Sequence, residues 1–287
     1  MQKIKKIGIV GVGLIGGSIG LALRKKYPEV EIIGIGRNEA RLKLAKKKGC
    51  IDVYTTDLKE GVHDVDILII STPVELTAKF IKDSLPFVKN KCIITDVASV
   101  KREIIYAIYN DVVKYKAQKN INFIGSHPIA GSEKAGFEYA NENLFKNSVC
   151  VVCYDKKLSS FNSLNIVKRM WGSIGAKVVQ LTAEEHDKIL ASTSHTLHLI
   201  SYALVKLINK KKDYLKFTGG AYRDMTRIAS SNPKLWFNIC RMNRDFIEKE
   251  LNDFRKIIEK LQTCLKDIKK LKKFLISAYE LTIKSKK

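Results

Sequence analysis

The chain has 287 residues, of which 45% are hydrophobic, and a formal net charge of +23 at pH 7. This length allows one large domain or two ordinary ones, and no apolar run is long enough to cross a membrane. The excess charge comes mostly from lysines spread along the chain, and no basic stretch alternates with aromatic residues, as nucleic-acid surfaces often do. A solvated, lysine-rich surface is therefore the better explanation, although its positive field would help to attract anionic substrates.

The first predicted elements are a strand, a glycine-rich turn and a helix. The apolar run Lys6–Val10 indicates a strand, GVGLIG follows at residues 11–16, and helical spacing of apolar residues continues over 18–25. The first glycine of the motif permits a tight turn, the second lets a pyrophosphate approach the backbone, and the third lets helix and strand pack closely. Since a helix N-terminus also attracts phosphate, this order predicts a dinucleotide site. Its predicted contacts are Gly11, Gly13, Leu14, Ile15 and Gly16.

The second predicted strand, residues 31–36, ends where the ribose of a dinucleotide is expected. An acidic residue about 20 residues after the glycines usually accepts a hydrogen bond from the ribose 2′-hydroxyl. This chain has Gly36 there, followed by Arg37, whose guanidinium can pair with a 2′-phosphate. The sequence thus slightly favours NADP, and a solvent-facing Arg37 with NAD as the cofactor is the alternative. The remaining predicted cofactor contacts are Ser71, Thr72 and Pro73.

Strands and helices alternate as far as residue 182, and only helices are predicted after it. Further strands are predicted at 65–72, 92–97, 121–126, 148–154 and 176–181, and helices at 40–47 and 75–85. Thr182 and Glu185 form a capping-box pattern, and Asn232 before Pro233 marks a second helix start. The sequence predicts an α/β fold: an N-terminal doubly wound Rossmann-type sheet (1–182) followed by an all-helical C-terminal dimerisation domain (183–287).

The predicted helices after residue 182 carry apolar residues on more than one face, for example Leu197, Leu199, Ile200 and Leu204. A helix that is apolar all round needs burial on several sides. This pattern predicts a homodimer formed through the helical domain, and an ordinary bundle core is the alternative.

The six cysteines follow no metal-binding pattern. Cys150 and Cys153 have CxxC spacing but lie in a predicted strand, where side chains three residues apart point to opposite faces. No metal site is therefore expected. Six thiols without a recognisable signal peptide predict a cytoplasmic protein.

Five sequence blocks occur in a specific order between Ile7 and about Phe246. They are GVGLIGGSIG (11–20), TDVASVK (95–101), GSHPIAGSEKAG (125–136), EEHDKILASTSH (184–195) and GGAYRDMTRIASSNPKLW (219–236). With them the chain resembles the prephenate/arogenate dehydrogenase family of tyrosine biosynthesis. The resemblance implies an oxidoreductase that uses NAD or NADP to oxidise and decarboxylate prephenate, giving 4-hydroxyphenylpyruvate. A nicotinamide site of this kind needs a proton acceptor beside the hydride donor.

The resemblance also implies roles for individual residues. His127 matches the catalytic histidine that hydrogen-bonds to the ring hydroxyl. Ser99 matches the serine that helps to orient both that histidine and the hydroxyl. Arg227 matches the arginine that binds a substrate carboxylate. The remaining implied substrate contacts are His195, Glu133, Trp236 and Gly220.

Bland explanations exist for several of these matches. Ser99 is also placed to cap a helix predicted at 101–108, and Arg227 could form a surface salt bridge. His127 and His195 could be ordinary buried histidines. His186, in the same EEHD block, is expected to be structural, since it opens the helix that joins the two domains.

Three other functions are compatible with part of the pattern. Arogenate differs from prephenate only by an amino group in place of the keto group, so arogenate dehydrogenation is the first alternative. The β-hydroxyacid dehydrogenases share this layout but need a lysine followed by asparagine four residues later, and Lys206 and Asn209 are one residue too close. A nucleotide-sensing or nucleic-acid-binding regulator would leave His127 and Arg227 unexplained. Feedback inhibition by tyrosine at the active site is compatible with prephenate dehydrogenation and with arogenate dehydrogenation.

Overall fold

One mixed β-sheet forms the centre of the first part of the chain. The computed structural model describes residues 4–131, 134–210 and 212–285. The strands in these residues are β1 (Lys6–Val10), β2 (Glu31–Ile35), β3 (Val53–Thr55), β4 (Ile67–Ile70), β5 (Ile93–Asp96), β6 (Asn122–Pro128), β7 (Val149–Cys153) and β8 (Lys177–Leu181). Their order across the sheet is β3–β2–β1–β4–β5–β6–β7–β8.

The strand direction changes once, between β6 and β7. Strands β1 to β6 are parallel, β7 is antiparallel to β6, and β8 is parallel to β7. The predicted doubly wound sheet is confirmed. The chain leaves β3 at one edge and returns to β4 beside β1, so the connections after β1 and β4 diverge. Such a switch point opens a crevice at the carboxyl ends of the two strands.

The helices of the described residues flank the sheet and then continue without strands. They are α1 (Leu14–Lys26), α2 (Glu39–Lys47), α3 (Leu58–Val62), α4 (Val74–Ser84), α5 (Arg102–Lys119), α6 (Phe161–Ser173), α7 (Ala183–Leu190), α8 (Thr196–Asn209), α9 (Gly220–Thr226), α10 (Pro233–Met242), α11 (Arg244–Cys264) and α12 (Ile268–Ser285). None of these helices is long and apolar enough to span a membrane.

Two hydrophobic cores cover the two faces of the sheet. Ile67 and Ile69 of β4 pack in the core that includes α1, α2 and α6, whereas Leu68 and Ile70 pack in the core that includes α4 and α5. The central strand β4 is apolar at every position because both of its faces are covered. Trp236 of α10 joins the second core, so the helical region packs on the α4–α5 side of the sheet.

Both helix starts predicted in the second half of the chain are found. Thr182 Oγ1 accepts the Glu185 N–H (3.1 Å) and the Glu185 carboxylate accepts the Thr182 N–H (2.8 Å), which forms the capping box of α7. The Asn232 side chain accepts the Lys234 N–H (2.9 Å), and Pro233 is the first residue of α10. The caps satisfy amides that have no partner inside a helix.

The long helix predicted after Thr182 is interrupted by a π-helical turn at Ala191–His195. The Thr196 N–H donates to the Ala191 carbonyl, five residues earlier. The Ser192 and Thr193 hydroxyls donate to carbonyls four residues before them, where they compete with the backbone N–H groups of an α-helix. The expected helix therefore continues from α7 into α8 through a π-helical turn that contains one extra residue.

Candidate active site

The crevice between β1 and β4 is shaped by glycines. Gly11 follows β1 with φ +92°, and a Cβ atom there would lie 2.5 Å from the Ser71 carbonyl oxygen, so only glycine fits. A Cβ atom on Gly13 would meet nothing within 4 Å, so Gly13 leaves open space at the start of α1. A Cβ atom on Gly16 would collide with the Gly11 carbonyl, so this glycine lets α1 pack against the β1 turn.

The first turn of α1 is suited to an anion. Gly13 is the N-cap and supplies no side-chain cap, and no acidic residue lies in the first turn. The N–H groups of Leu14, Ile15 and Gly16 have no partner inside the helix and point towards the open space at Gly13. Across the crevice, the Thr72 hydroxyl is buried without a hydrogen-bond partner. These residues fit the pyrophosphate of a dinucleotide.

The turn after β2 has no acidic side chain. Gly36 is half-buried, and a Cβ atom there would make only ordinary contacts with Leu42, the nearest at 3.4 Å. Arg37 is exposed and forms no ion pair with any described residue, whereas Arg41 pairs with Glu138 at 3.1 Å. The guanidinium of Arg37 is therefore available to a ligand.

A buried ion pair closes the carboxyl end of β5. Asp96 is fully buried, and its carboxylate pairs with the Lys101 ammonium group, which is also buried. The same carboxylate accepts the Ser126 N–H (3.1 Å) and the Ala98 N–H (3.0 Å). Asp96 thereby fixes the backbone of β6 at the residue just before His127.

His127 lies within β6, rather than after its end, and is almost fully buried. Its Nδ1 atom is 2.8 Å from Nε2 of His186 in α7. Burial lowers the pKa of His127 well below its usual 6.5, and His186, Lys101 and His195 lower it further. His127 is consequently neutral at pH 7 and can accept a proton.

His186 has a closer connection to the site than its sequence position indicates. Its Nδ1 atom is 2.7 Å from Asp187 Oδ1, so both ring nitrogens are hydrogen-bonded. Burial lowers the pKa of His186 despite the opposing effect of Asp187. His186, which was expected to be structural because it opens the helix that joins the domains, contacts the ring of His127 directly.

Asp187 also caps the helix that follows β5. Its two carboxylate oxygens accept the N–H groups of Lys101 and Arg102, each at 2.8 Å, at the start of α5. Ser99 is half-buried in the preceding loop and does not cap α5, so that interpretation is wrong. No hydrogen bond joins Ser99 to His127 in the part of the chain that the structure describes.

His195 is held by the start of α11. Its Nδ1 atom is 3.0 Å from the Asn243 side-chain nitrogen, which also donates to the Asp187 carbonyl (2.8 Å). Because the Asn243 amide donates, Nδ1 accepts and Nε2 carries the hydrogen. Burial lowers the pKa of His195 to about 4. Its Nε2 is buried without a partner, and its ring lies edge-on to Trp236 at 6.1 Å.

His198 is a candidate that the sequence did not single out. Its ring stacks on Trp236, with centroids 3.4 Å apart, and its Nδ1 donates to the Ser194 carbonyl (3.0 Å). Burial lowers the pKa of His198, and the nearby charge of Arg227 adds to that effect. Arg227 is exposed and has no ion-pair partner among the described residues. The sequence feature that could have identified His198 is its spacing: it lies three residues after His195, so the two side chains share one side of a helix.

One of the predicted contacts, Gly220, is not joined to this cluster. Gly220 is the exposed first residue of α9, where a Cβ atom would meet nothing within 4 Å. Glu133 lies outside the described residues.

Comparison with known proteins identifies the family. Residues 19–180 match the family model described as prephenate dehydrogenase, nucleotide-binding domain, and residues 182–276 match prephenate dehydrogenase, dimerization domain. The chain belongs to the prephenate dehydrogenase family. This confirms the resemblance, the fold class and the expectation of an oxidoreductase.

Individual members of the prephenate dehydrogenase family match most of the chain. The prephenate dehydrogenase of Lactococcus lactis subsp. cremoris is 32% identical over 266 residues, covering 90% of this chain and 70% of the relative. The structure of the A. aeolicus prephenate dehydrogenase with hydroxyphenyl propionate and NAD+ has a TM-score of 0.90 at 28% identity and covers 98% of both chains. Synechocystis arogenate dehydrogenase has a TM-score of 0.83 at 27% identity and covers 98% of this chain and 99% of its own.

Proposed function

We propose that the chain catalyses the NAD(P)-dependent oxidative decarboxylation of prephenate to 4-hydroxyphenylpyruvate. One observation carries this proposal: a neutral histidine, His127, lies at the carboxyl end of the sheet and has one ring nitrogen left for a substrate. Its Nδ1 is taken by His186, its Nε2 has no hydrogen-bond partner among the described residues, and the residue as a whole is 8% exposed. Such a nitrogen can serve as a general base.

The proposed proton acceptor is His127 Nε2. This atom takes the proton of the ring hydroxyl while the hydride leaves the hydroxyl-bearing carbon, and it returns the proton to the same oxygen when the ring carboxylate leaves as carbon dioxide, so that the product is a phenol. The ring becomes aromatic, which drives the reaction forward. When bound, the oxidised nicotinamide supplies the hydride acceptor. Ser99, in the loop after β5, is proposed to help orient the hydroxyl.

The proposed substrate contacts are one charged side chain, Arg227, and two neutral aromatic side chains, His195 and Trp236. Arg227 is free to bind a substrate carboxylate, for which its planar fork is well suited. His195 has a buried Nε2–H without a partner, and a substrate oxygen would satisfy that donor. Trp236, stacked on His198, provides a rigid wall. Glu133 and Gly220 remain proposals from the resemblance.

For the cofactor we propose NADP or NAD, with a slight preference for NADP. The crevice residues fit the pyrophosphate: Gly11, Gly13, Leu14, Ile15 and Gly16, with Ser71, Thr72 and Pro73 opposite them. The exposed, unpaired Arg37 and the missing acid at Gly36 support a 2′-phosphate. The relative from A. aeolicus was solved with NAD+, which supports the alternative.

A kinetic comparison tests the proposed function. We expect absorbance at 340 nm to rise when the protein is given prephenate with NADP or NAD, and to rise more slowly with arogenate. Reduction with arogenate alone would replace the proposal by arogenate dehydrogenation, which the likeness to the Synechocystis enzyme supports. No reduction with either substrate would overturn it. Added tyrosine, which shares an aromatic ring and a carboxylate with the product, is expected to compete with prephenate.

We also propose that two copies associate through the helical domain, taken to begin after residue 182. Exposed apolar side chains cluster on the last two helices, including Leu265 and Ile268, which are 64% and 84% exposed. Such a surface is unusual on a soluble monomer. The dimerization-domain match to residues 182–276 supports the proposal. Sedimentation equilibrium is expected to give twice the chain mass, and a monomer at micromolar concentration would overturn it.

A further inference from the structure

We propose that Asp187 and His186 are positioning residues that fix the tautomer of His127 and so leave a lone pair on its Nε2 atom. The inference rests on the proposed function, because it explains how His127 comes to be a base. It uses a line of three groups from α7 to β6: Asp187, His186 and His127.

The line begins with a group that only accepts hydrogen bonds. The Asp187 carboxylate receives the N–H groups of Lys101 and Arg102 at the start of the 18-residue helix α5. Both the hydrogen bonds and the helix dipole favour a negative charge at that position. With both oxygens used as acceptors, the 2.7 Å contact to His186 requires that His186 Nδ1 carries the hydrogen.

The remaining protons follow from this start. His186 is fully buried and neutral, so a hydrogen on Nδ1 leaves a lone pair on Nε2. That lone pair lies 2.8 Å from His127 Nδ1, which must therefore donate. His127 is neutral as well, so its own lone pair is on Nε2. If the hydrogen of either histidine were on its other ring nitrogen, the donor and acceptor of every later hydrogen bond in the line would be exchanged.

The two positioning residues also connect separate elements. Asp187 lies in α7, its carboxylate holds the first turn of α5, and its carbonyl accepts from Asn243 before α11. The side chain that sets the tautomer is thus fixed by backbone groups, which have no rotamers to change. This rigidity distinguishes the arrangement from an exposed acid–histidine contact.

Asp187→Asn is the first test. An amide nitrogen in place of Oδ1 gives up the Lys101 N–H bond and can donate to His186 Nδ1, which places the hydrogen on His186 Nε2 and removes the lone pair from His127 Nε2. We expect kcat to fall by about 10²–10⁴-fold, as when an orienting aspartate is made neutral. The KM for prephenate should stay within about threefold, because Asp187 does not contact the substrate. Glu184→Gln is the matched control: it is exposed on the same helix, and kcat should not change.

A pair of variants at His186 separates tautomer control from structural support. The amide of Gln lies near the position of imidazole Nε2 and can accept from His127 Nδ1, whereas Met has similar size and accepts only weakly. We expect His186→Gln to retain at least tenfold more kcat than His186→Met. Equal losses in both, with equal thermal midpoints, would overturn the inference.

A spectroscopic measurement tests the same inference without turnover. In ¹⁵N spectra of the full-length protein, the five histidines are assigned with the help of His127→Asn. We expect His127 to be protonated on Nδ1 in the wild type and on Nε2 in Asp187→Asn. A wild-type signal with the hydrogen on Nε2 would overturn the inference whether or not prephenate is oxidised. Failure of the proposed function alone would leave the expected tautomer in place and abolish only the reduction at 340 nm.

Discussion

At the scale of single residues, the chemistry of this site depends on imidazoles that burial keeps neutral. His127, His186 and His195 all have a lowered pKa, and burial is the first cause in each case. A protonated ring would be a poor base and would repel the buried Lys101. Neutral imidazoles at pH 7 are therefore a consequence of where the chain places them.

Replacing His127 removes the proposed proton acceptor. His127→Asn should lower kcat by roughly 10²–10⁴-fold, which is the usual contribution of a general base. Cofactor affinity should hardly change, since β6 lies two strands away from the crevice between β1 and β4. Steady-state kinetics and a fluorescence titration with the cofactor measure the two effects. Near-normal turnover would exclude His127 as the base.

Replacing Arg227 removes the proposed carboxylate contact. Arg227→Ala should raise the KM for prephenate roughly 10- to 100-fold, because hydrogen bonds to a charged group contribute about 1.5–3 kcal/mol. The effect should fall mainly on KM, since the carboxylate is bound in both ground and transition states. Arg169→Ala, at an exposed position on α6, is the control. A large loss of kcat at unchanged KM would show that Arg227 acts only on the transition state.

The sequence predicted part of this site and missed its interior. His127, Arg227 and Trp236 lie in recognisable blocks, and the structure places Trp236 against His195 and His198. The contact of His186 with His127 joins residues 59 positions apart, so it depends on how α7 packs against β6. Local spacing carries no information about such packing.

At the scale of elements, strand and helix positions followed the apolar pattern closely, and the exceptions have local causes. The predicted strand 121–126 continues to Pro128 in β6. The antiparallel direction of β7 could not be foreseen, because a buried strand has the same apolar pattern whether it runs parallel or antiparallel to its neighbour. The π-helical turn at Ala191–His195 was also missed, since hydroxyl groups inside a helix are compatible with ordinary α geometry.

The turn after β2 gives a test of cofactor choice. Gly36→Asp should fit without strain, because a Cβ atom there makes only ordinary contacts. The new carboxylate would repel a 2′-phosphate and accept from a 2′-hydroxyl, so preference should shift towards NAD by tenfold or more, about 1.4 kcal/mol. The ratio of kcat/KM for the two cofactors measures this shift. Gly172→Asp, in open space on α6, is the control. A tenfold wild-type preference for NAD would end the NADP proposal.

At the scale of the whole molecule, the sheet and the helical region are joined through the start of α5. Arg102 binds both oxygens of Asp245 in α11 at 2.6 Å and stacks on Phe246. Its backbone N–H binds Asp187 of α7. His186 and His195 are hydrogen-bonded to Asp187 and Asn243 at this junction, so protonation of either ring would weaken contacts that join the two parts.

Acid should therefore destabilise the protein. The pKa of His195 is about 4 in the folded state and about 6.5 when unfolded, so between these values only the unfolded chain binds the proton. The free energy of unfolding should fall as pH decreases from 6.5 to 4, and His195 alone should contribute about 2 kcal/mol of that loss between pH 7.5 and 5. Urea unfolding at pH 7.5 and 5 measures the loss. His195→Gln should reduce it, whereas His63→Gln, at an exposed position, should not. Equal stability at both pH values would contradict the prediction.

The π-helical turn has a consequence for how members of this family are aligned. It adds one residue to a continuous helix, so every side chain after it is rotated by about 100° relative to an uninterrupted α-helix. In this shifted phase His198 stacks on Trp236. A one-residue gap within Ala191–His195 in a related sequence would thus not be a shorter loop, because it would turn the whole of α8 about its axis.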